Sequence, residues 1–350
     1  MLILHNPLQS RHAGRQEMFR GRLVDCHEHP GRFDHVMNAL AQRPQGQLAT
    51  PGAADMALVR RVHAAEYVDF LQNAWAQWVA LDAANAALDI LPSVWPGHGL
   101  RRDVHPANFS AQVGRFAFDS GSPITAGTWE AAEAGAACAI DAARAIATAG
   151  GPRAAFALTR PPGHHAGTDF YGGYCFLNNS ALAAQALREA GMARVAVLDV
   201  DYHHGNGTQQ IFYGRSDVLT VSLHGDPLTE YPFYLGYADE TGEGEGAGWN
   251  LNLPLPAGTG VDAWFDALRQ GLTRVAQSGA EALVVALGVD TFAGDPISKF
   301  RLQSPDYLRI GRQIAAAGLP TVFVMEGGYA VAEIGVNVVN VLEGFAHTAG

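Results

Sequence analysis

Asp201 and His203 stand two residues apart at the end of the apolar run VAVLDV, and Asp290 closes a second such run, ALVVALGVD. On an extended strand end, positions two apart point to the same side. One imidazole nitrogen and two carboxylate oxygens, with a coordination position left open, make the donor set of a catalytic zinc site. Taken alone, an Asp-x-His pair reads as readily as a buried ion pair, so the metal reading draws on its neighbours. A tandem His164–His165 follows RPPG. Histidine titrates near neutral pH, and two adjacent rings at a strand end suit proton transfer. Asp199 is a candidate partner for one ring and would favour its cationic form. Asn206 can orient the other without lending it charge. Tyr329 follows two glycines in MEGGY. Its phenol could donate to a developing oxyanion, although Gly-Gly-Tyr alone reads more simply as a packed turn. The chemistry these groups share is metal-assisted hydrolysis.

Such residues need elements to carry them. Short apolar runs predict strands at 154–158, 194–200, 218–223, 282–287 and 321–325, with helices at 128–149, 180–190, 261–278, 304–317 and 333–347. Runs as apolar as VAVLDV and TVFVM suit a sheet covered on both faces, and β/α alternation argues for parallel strands. Ligands bind beyond the carboxyl ends of such strands. Four of these ends carry the polar clusters: His164 and His165; Asp199, Asp201, His203 and Asn206; Asp290; and Glu326 to Tyr329. The tract 91–123 is rich in Gly, Pro, Arg and His without a clear period and reads as a long loop. No linker divides the chain, so one domain over 1–350 is expected.

With 48% hydrophobic and 16% charged residues the chain can bury a large core. Its net charge of −11 argues against nucleic acid or anionic membranes as partners. Three dispersed cysteines give no disulfide framework. The first residues lack the pattern of a signal peptide, and no apolar stretch of about 18 residues offers a membrane span, so a soluble cytoplasmic protein is expected. Trp75 and Trp78, with Leu71, sit at helical spacing and should face the core. The glycine-rich 242–248 lacks the lysine of a phosphate loop and reads as a flexible loop. Arg11, Arg15, Arg20 and Arg22 read as a solvated surface.

Together RPPGHHAG, GGYCFLNN, LDVDYHHGNGTQ, VSLHGDP, LGVDTFAGDP and MEGGY closely resemble the histone deacetylase superfamily, above all its bacterial branch of acetylpolyamine amidohydrolases and histone deacetylase-like amidohydrolases. The resemblance runs over nearly the whole chain. It implies an arginase-like three-layer α/β fold, with a central eight-stranded parallel sheet flanked by helices. It implies one zinc on Asp201, His203 and Asp290, His165 as general base and acid, His164 paired with Asp199, and Tyr329 polarising the amide carbonyl. Asn206 replaces the aspartate of some eukaryotic members. Structural potassium is implied as well, one ion at Asp199, Asp201, His203, Ser222 and Leu223, another partly at Phe212 and Val218. Tyr174 and Tyr231 match the walls of an acyl tunnel, with Gly173 and Gly328 beside them as substrate-binding positions. Glu17 matches an acidic residue that holds a distal ammonium.

The expected reaction is hydrolysis of a small N-acetylated amine to acetate and free amine. The loop at 91–123 offers only Asp103 and Asp119 beside Arg101, Arg102, Arg115, His98 and His105. That basic balance makes a short or neutral acyl-amide a plausible substrate next to a polyamine. In the family this loop mediates dimer contacts, so a homodimer with a narrowed tunnel is expected. Three other readings are carried: a deacetylase of protein or peptide acetyl-lysine, a binuclear manganese ureohydrolase using Asp199 and Asp295 as spare carboxylates, and a non-catalytic acyl-ligand binding protein.

Overall fold

The computed structural model describes residues 1–349. In chain order the strands are β1 (Leu2–His5), β2 (Gln16–Phe19), β3 (Arg22–Asp25), β4 (Gln47–Ala49), β5 (Ala154–Leu158), β6 (Val195–Asp199), β7 (Val218–Gly225), β8 (Asn250–Leu255), β9 (Ala282–Leu287) and β10 (Thr321–Met325). The helices are α1 (Gly31–Gln42), α2 (Met56–Val62), α3 (Ala65–Leu81), α4 (Phe109–Phe116), α5 (Thr128–Ala147), α6 (Asn179–Glu189), α7 (Asn206–Phe212), α8 (Val261–Ser278), α9 (Ser304–Ala316) and α10 (Val331–Ala349). Eight strands form one parallel sheet in the order β4-β1-β5-β10-β9-β6-β7-β8, and β2 and β3 form a separate antiparallel hairpin. This is the helix-flanked eight-stranded architecture the motifs imply.

The order has a functional consequence. The four strands whose ends carry the polar clusters, β5, β10, β9 and β6, are consecutive neighbours in the sheet. Each is buried along its whole length. Their side chains alternate between two cores. Val195, Val197, Val284, Val322 and Val324 pack in one, with residues of α2, α3, α5 and α6. Leu198, Leu283, Val285, Leu287, Phe323 and Met325 pack in the other, with residues of α1, α8, α9 and α10. Each fully buried Val, Leu or Phe contributes about 1.5–3 kcal/mol relative to exposure, so the sheet is a stiff platform for its C-terminal edge.

All five predicted strands and all five predicted helices form, with ends that move by a residue or two. Three sheet strands escape the sequence pattern for physical reasons. β1 has four residues and β4 three, too few for a period to show. β8, NLNLPL, is only partly buried and mixes amide side chains with leucines. The tract 91–123 is not wholly a loop. It contains α4, begun by Asn108, whose side chain accepts from the Ser110 amide at 3.0 Å. Two turns are too short to reveal a helical period. Leu71 is buried on α3, with Trp75 and Trp78 half-buried against the core. Residues 242–248 form a loop with one 3-10 turn. No helix among the described residues is long and apolar enough to cross a membrane.

Candidate active site

Beyond the end of β6, the chain folds its own acids inward. Asp199 Oδ1 accepts the Asp201 amide at 3.1 Å, and Asp201 Oδ1 accepts the His203 amide at 2.9 Å. Asp290, three residues past β9, accepts the Tyr202 amide at 2.8 Å and meets His203 Nδ1 at 3.0 Å. From β10, the Gly327 amide donates to Asp201 Oδ2 at 2.8 Å. A Cβ on Gly327 would lie 2.6 Å from Asp201 Oδ2 and 2.7 Å from Asp290 Oδ2, so only glycine fits between the two carboxylates. One ligand atom each from Asp201, His203 and Asp290 can be drawn within 4.8 Å of one another.

These three residues fit a divalent cation on their own electrostatics. Asp201 and Asp290 are completely buried. Burial and the charge of Asp201 push Asp290 up to about 8. Burial alone would lower His203, but the two carboxylates outweigh it and push it up to about 10. Without a cation, protons must do the neutralising. A metal would displace them and leave the imidazole neutral.

The tandem histidines sit against this cluster with their rings 4.0 Å apart, and the His165 ring is 6.1 Å from that of His203. Their environments split them. His164 Nδ1 meets Asp199 Oδ2 at 2.9 Å, and although burial opposes the charge, Asp199 and Asp201 push this ring up to about 10. His165 Nδ1 donates to Asn206 Oδ1 at 2.6 Å, a neutral partner. Burial, with the charges of His164 and His203, holds His165 well below the usual histidine range. These surroundings favour the cationic form of His164 and the neutral form of His165, with Nε2 as its basic nitrogen. The loop that carries them is anchored by Glu326, which accepts the Gly163 and His164 amides at 2.6 and 3.1 Å and the Ser180 hydroxyl at 2.9 Å.

Above the cluster opens a cavity of about 520 Å³ lined by His165, His203, Tyr329, Gly173, Tyr174 and Tyr231, among others. The Tyr231 ring stands edge-on to His165 at 5.1 Å and stacks on Phe118 at 5.8 Å. Tyr174 stands edge-on to Tyr329 at 5.5 Å. Gly173 has φ +53°, and a Cβ there would lie 2.2 Å from His165 Cδ2, so a side chain would strike the base. Tyr329 is 8% exposed, with the Arg32 guanidinium 4.7 Å over its ring. Burial raises its phenol well above the ordinary range, so it is a donor at neutral pH.

The structure thus brings together His164, His165, Asp199, Asn206, Asp201, His203, Asp290 and Tyr329, with Gly173, Tyr174 and Tyr231 on the walls. Gly328 lies behind the wall and offers its carbonyl to Arg32 at 2.6 Å. Glu17 is not among the lining residues; it is buried, held by His27 Nδ1 at 2.6 Å and the Tyr174 hydroxyl at 3.0 Å. Ser222 is the register partner of Asp199, Leu223 follows it, Phe212 ends α7 and Val218 begins β7. Arg11, Arg15, Arg20 and Arg22 are exposed, as expected, and Arg20, at the turn of the β2–β3 hairpin, also lines the cavity. The spare carboxylates of the ureohydrolase reading are both engaged. Asp199 holds His164, and Asp295 accepts the Tyr329 and Ala330 amides at 2.7 and 3.2 Å. Asp295 and Glu326 therefore anchor the loops of the candidate site, which for Asp295 agrees with its reading from sequence as a supporting rather than a metal-binding residue.

A parallel sheet whose adjacent strand ends gather a triad able to hold a metal ion, a histidine pair and a tyrosine has the makings of a hydrolase. The Histone deacetylase domain matches residues 26–345, and the chain belongs to that family. Within it, the chain is 51% identical over 350 residues to Acetylpolyamine amidohydrolase 1 of Pseudomonas aeruginosa, covering 100% of both. It is 48% identical over 330 residues to the Acetylpolyamine amidohydrolase of Mycoplana ramosa, covering 94% of this chain and 95% of the relative. The crystal structure of acetylpolyamine aminohydrolase from Burkholderia pseudomallei matches with a TM-score of 0.94 at 38% identity, over 100% of both chains.

Proposed function

We propose that this protein is a zinc-dependent amidohydrolase that removes the acetyl group from acetylated polyamines, acting as a single catalytic domain. The observation that carries the proposal is the triad Asp201, His203 and Asp290, its carboxylates buried and its imidazole lining the cavity, beside two histidines with unlike partners, the Asp199 carboxylate for His164 and the Asn206 amide oxygen for His165. Zinc held there would supply Lewis acidity toward the acetyl carbonyl and a water of lowered pKa. The residues do the rest. His165 Nε2 takes the proton of the attacking water, and Asn206 keeps the proton on Nδ1 and the ring in place. Tyr329 donates to the oxyanion of the tetrahedral intermediate. The imidazolium of His165 then returns its proton to the leaving amine, and the acetate and amine separate. His164, held cationic by Asp199, keeps the neighbouring ring from staying protonated between turnovers. Tyr174 and Tyr231, the latter backed by Phe118, wall the reaction from bulk water.

Two further points belong to the proposal. Potassium belongs to it, one ion at Asp199, Asp201, His203, Ser222 and Leu223 and another partly at Phe212 and Val218; for the first, Asp199 and Ser222 stand as register partners on β6 and β7. A homodimer suits the tract 91–123, which exposes Val94, Leu100 and Val104. Light scattering should return twice the chain mass, and a monomer at assay concentration would remove the dimer.

Acetylputrescine should be turned over, a zinc chelator should abolish the activity, and zinc should restore it. Elemental analysis should find about one zinc per chain. Tyr329→Phe should lower kcat by about 10²–10³-fold. Hydrolysis confined to acetyl-lysine peptides would reassign the substrate, and full activity in the chelated protein would overturn the mechanism.

A further inference from the structure

Lys299 is the only lysine in a chain with 23 basic residues, and it lines the active-site cavity. Its ammonium donates to Glu230 Oε1. The pair is lopsided: the Glu230 side chain is 4% exposed and that of Lys299 is 44% exposed. A carboxylate rooted in the wall is thus capped by a flexible cation reaching in from the rim.

The other acids near the mouth are committed to the wall itself. Asp119 accepts the Tyr231 hydroxyl at 2.6 Å and the Gly173 and Gly121 amides at 2.7 and 3.1 Å. Glu17 is locked behind Tyr174 by His27. Glu230 is therefore the lining carboxylate whose ionic partner is solvent-reaching and replaceable. A primary ammonium on a substrate is chemically the same partner that Lys299 already supplies.

We propose that Lys299 and Glu230 form a charge-selecting subsite at the mouth of the cavity. Lys299 occupies the carboxylate that would otherwise bind a substrate's second ammonium, and so disfavours acetylated amines carrying two distal charges. Loss of the lysine's charge leaves a nearly buried carboxylate without its cation, and such a group gains most by recruiting another. The subsite rests on the amidohydrolase reading, because it presumes that the acyl group lies below and the amine chain points outward.

The test uses the full-length zinc-loaded protein and three substrates: N1-acetylspermidine with two distal charges, acetylputrescine with one and N-butylacetamide with none. The readout is the kcat/KM ratio of acetylspermidine to N-butylacetamide within each variant, so a general loss of activity divides out. Lys299→Met should raise this ratio by roughly tenfold, through KM rather than kcat. Lys299→Arg should keep the wild-type ratio, and Glu230→Gln added to Lys299→Met should reverse the gain. No substitution is needed for a second arm. Succinic anhydride can acylate only Lys299 and the terminal amine of lysine-poor wild type, and should raise the ratio further; treated Lys299→Met reports the terminal amine alone. A ratio within about twofold of wild type in both Lys299→Met and the succinylated protein overturns the subsite. If wild type hydrolyses none of the three, the proposed function falls and the subsite with it.

Discussion

His165→Ala should lower kcat by about 10³-fold, inside the 10²–10⁴ range of a positioned general acid–base, and leave the zinc content unchanged. The expectation separates two rings that look equivalent in the sequence. His165 lines the cavity and His164 does not. His164 is committed to Asp199 and carries a proton that its neighbours will not release near neutral pH. His165 faces only an amide oxygen through Nδ1, and adjacent charges keep Nε2 free to accept. A group must be unprotonated to take a proton from water, so the proposed mechanism gives the first chemical step to His165. His164→Ala should also impair turnover, by removing the cation that keeps its neighbour basic only on demand. Single-turnover kinetics on both variants check the assignment. A smaller loss for His165→Ala than for His164→Ala would exchange the two roles.

The catalytic floor was legible because its residues are tied to the strongest sequence signal in the chain. Each of Asp199, Asp201, Asp290 and Glu326 ends or closely follows an apolar run buried on both faces, and a parallel sheet fixes where such ends lie. The order of strands was not legible, yet it is what makes β5, β10, β9 and β6 neighbours. The mouth of the cavity was the least readable part. Arg20 is one of four exposed arginines, as its composition suggests, but nothing local shows that it also borders the cavity. Lys299 and Glu230 are 69 positions apart, and neither stands in a pattern that a period or spacing could single out. Glu17 was assigned to the mouth by resemblance alone, which does not show that its carboxylate turns toward His27, two residues past β3, and the Tyr174 hydroxyl. Long-range polar pairing leaves little trace in local sequence, whereas hydrophobic periodicity leaves a strong one.

The same reasoning locates the largest expected loss of stability outside the catalytic floor, at Glu28. This carboxylate is 3% exposed and accepts from Arg160 Nε and Nη2 at 2.8 and 2.9 Å and from Arg32 Nη1 at 2.9 Å. Burial opposes its charge, yet the two guanidiniums hold its carboxyl down at about 2. His12, 3.7 Å away, is pushed down to about 4 by burial and Arg160 and so stays neutral. Glu28→Gln would leave two buried guanidiniums facing one amide, and should cost about 3–5 kcal/mol, read as a lower urea midpoint at pH 7. The sign with pH follows from the direction of the shift. A carboxylate whose folded pKa lies below its ordinary value of 4.5 stabilises the fold above that value, and the contribution is lost as pH falls toward 2. The gap between wild type and Glu28→Gln should therefore be widest at pH 5 and above and should narrow on acidification. Activity is drawn in as well, because Arg32 also donates to the Glu326 and Gly328 carbonyls and lies over Tyr329. With Glu28 gone, Arg32 loses the partner that aims it, and Tyr329 loses a wall. Turnover in Glu28→Gln should fall further than its folded fraction does. Equal midpoints at pH 7, or a gap that stays constant down to pH 3, would show that Glu28 does not organise this cluster.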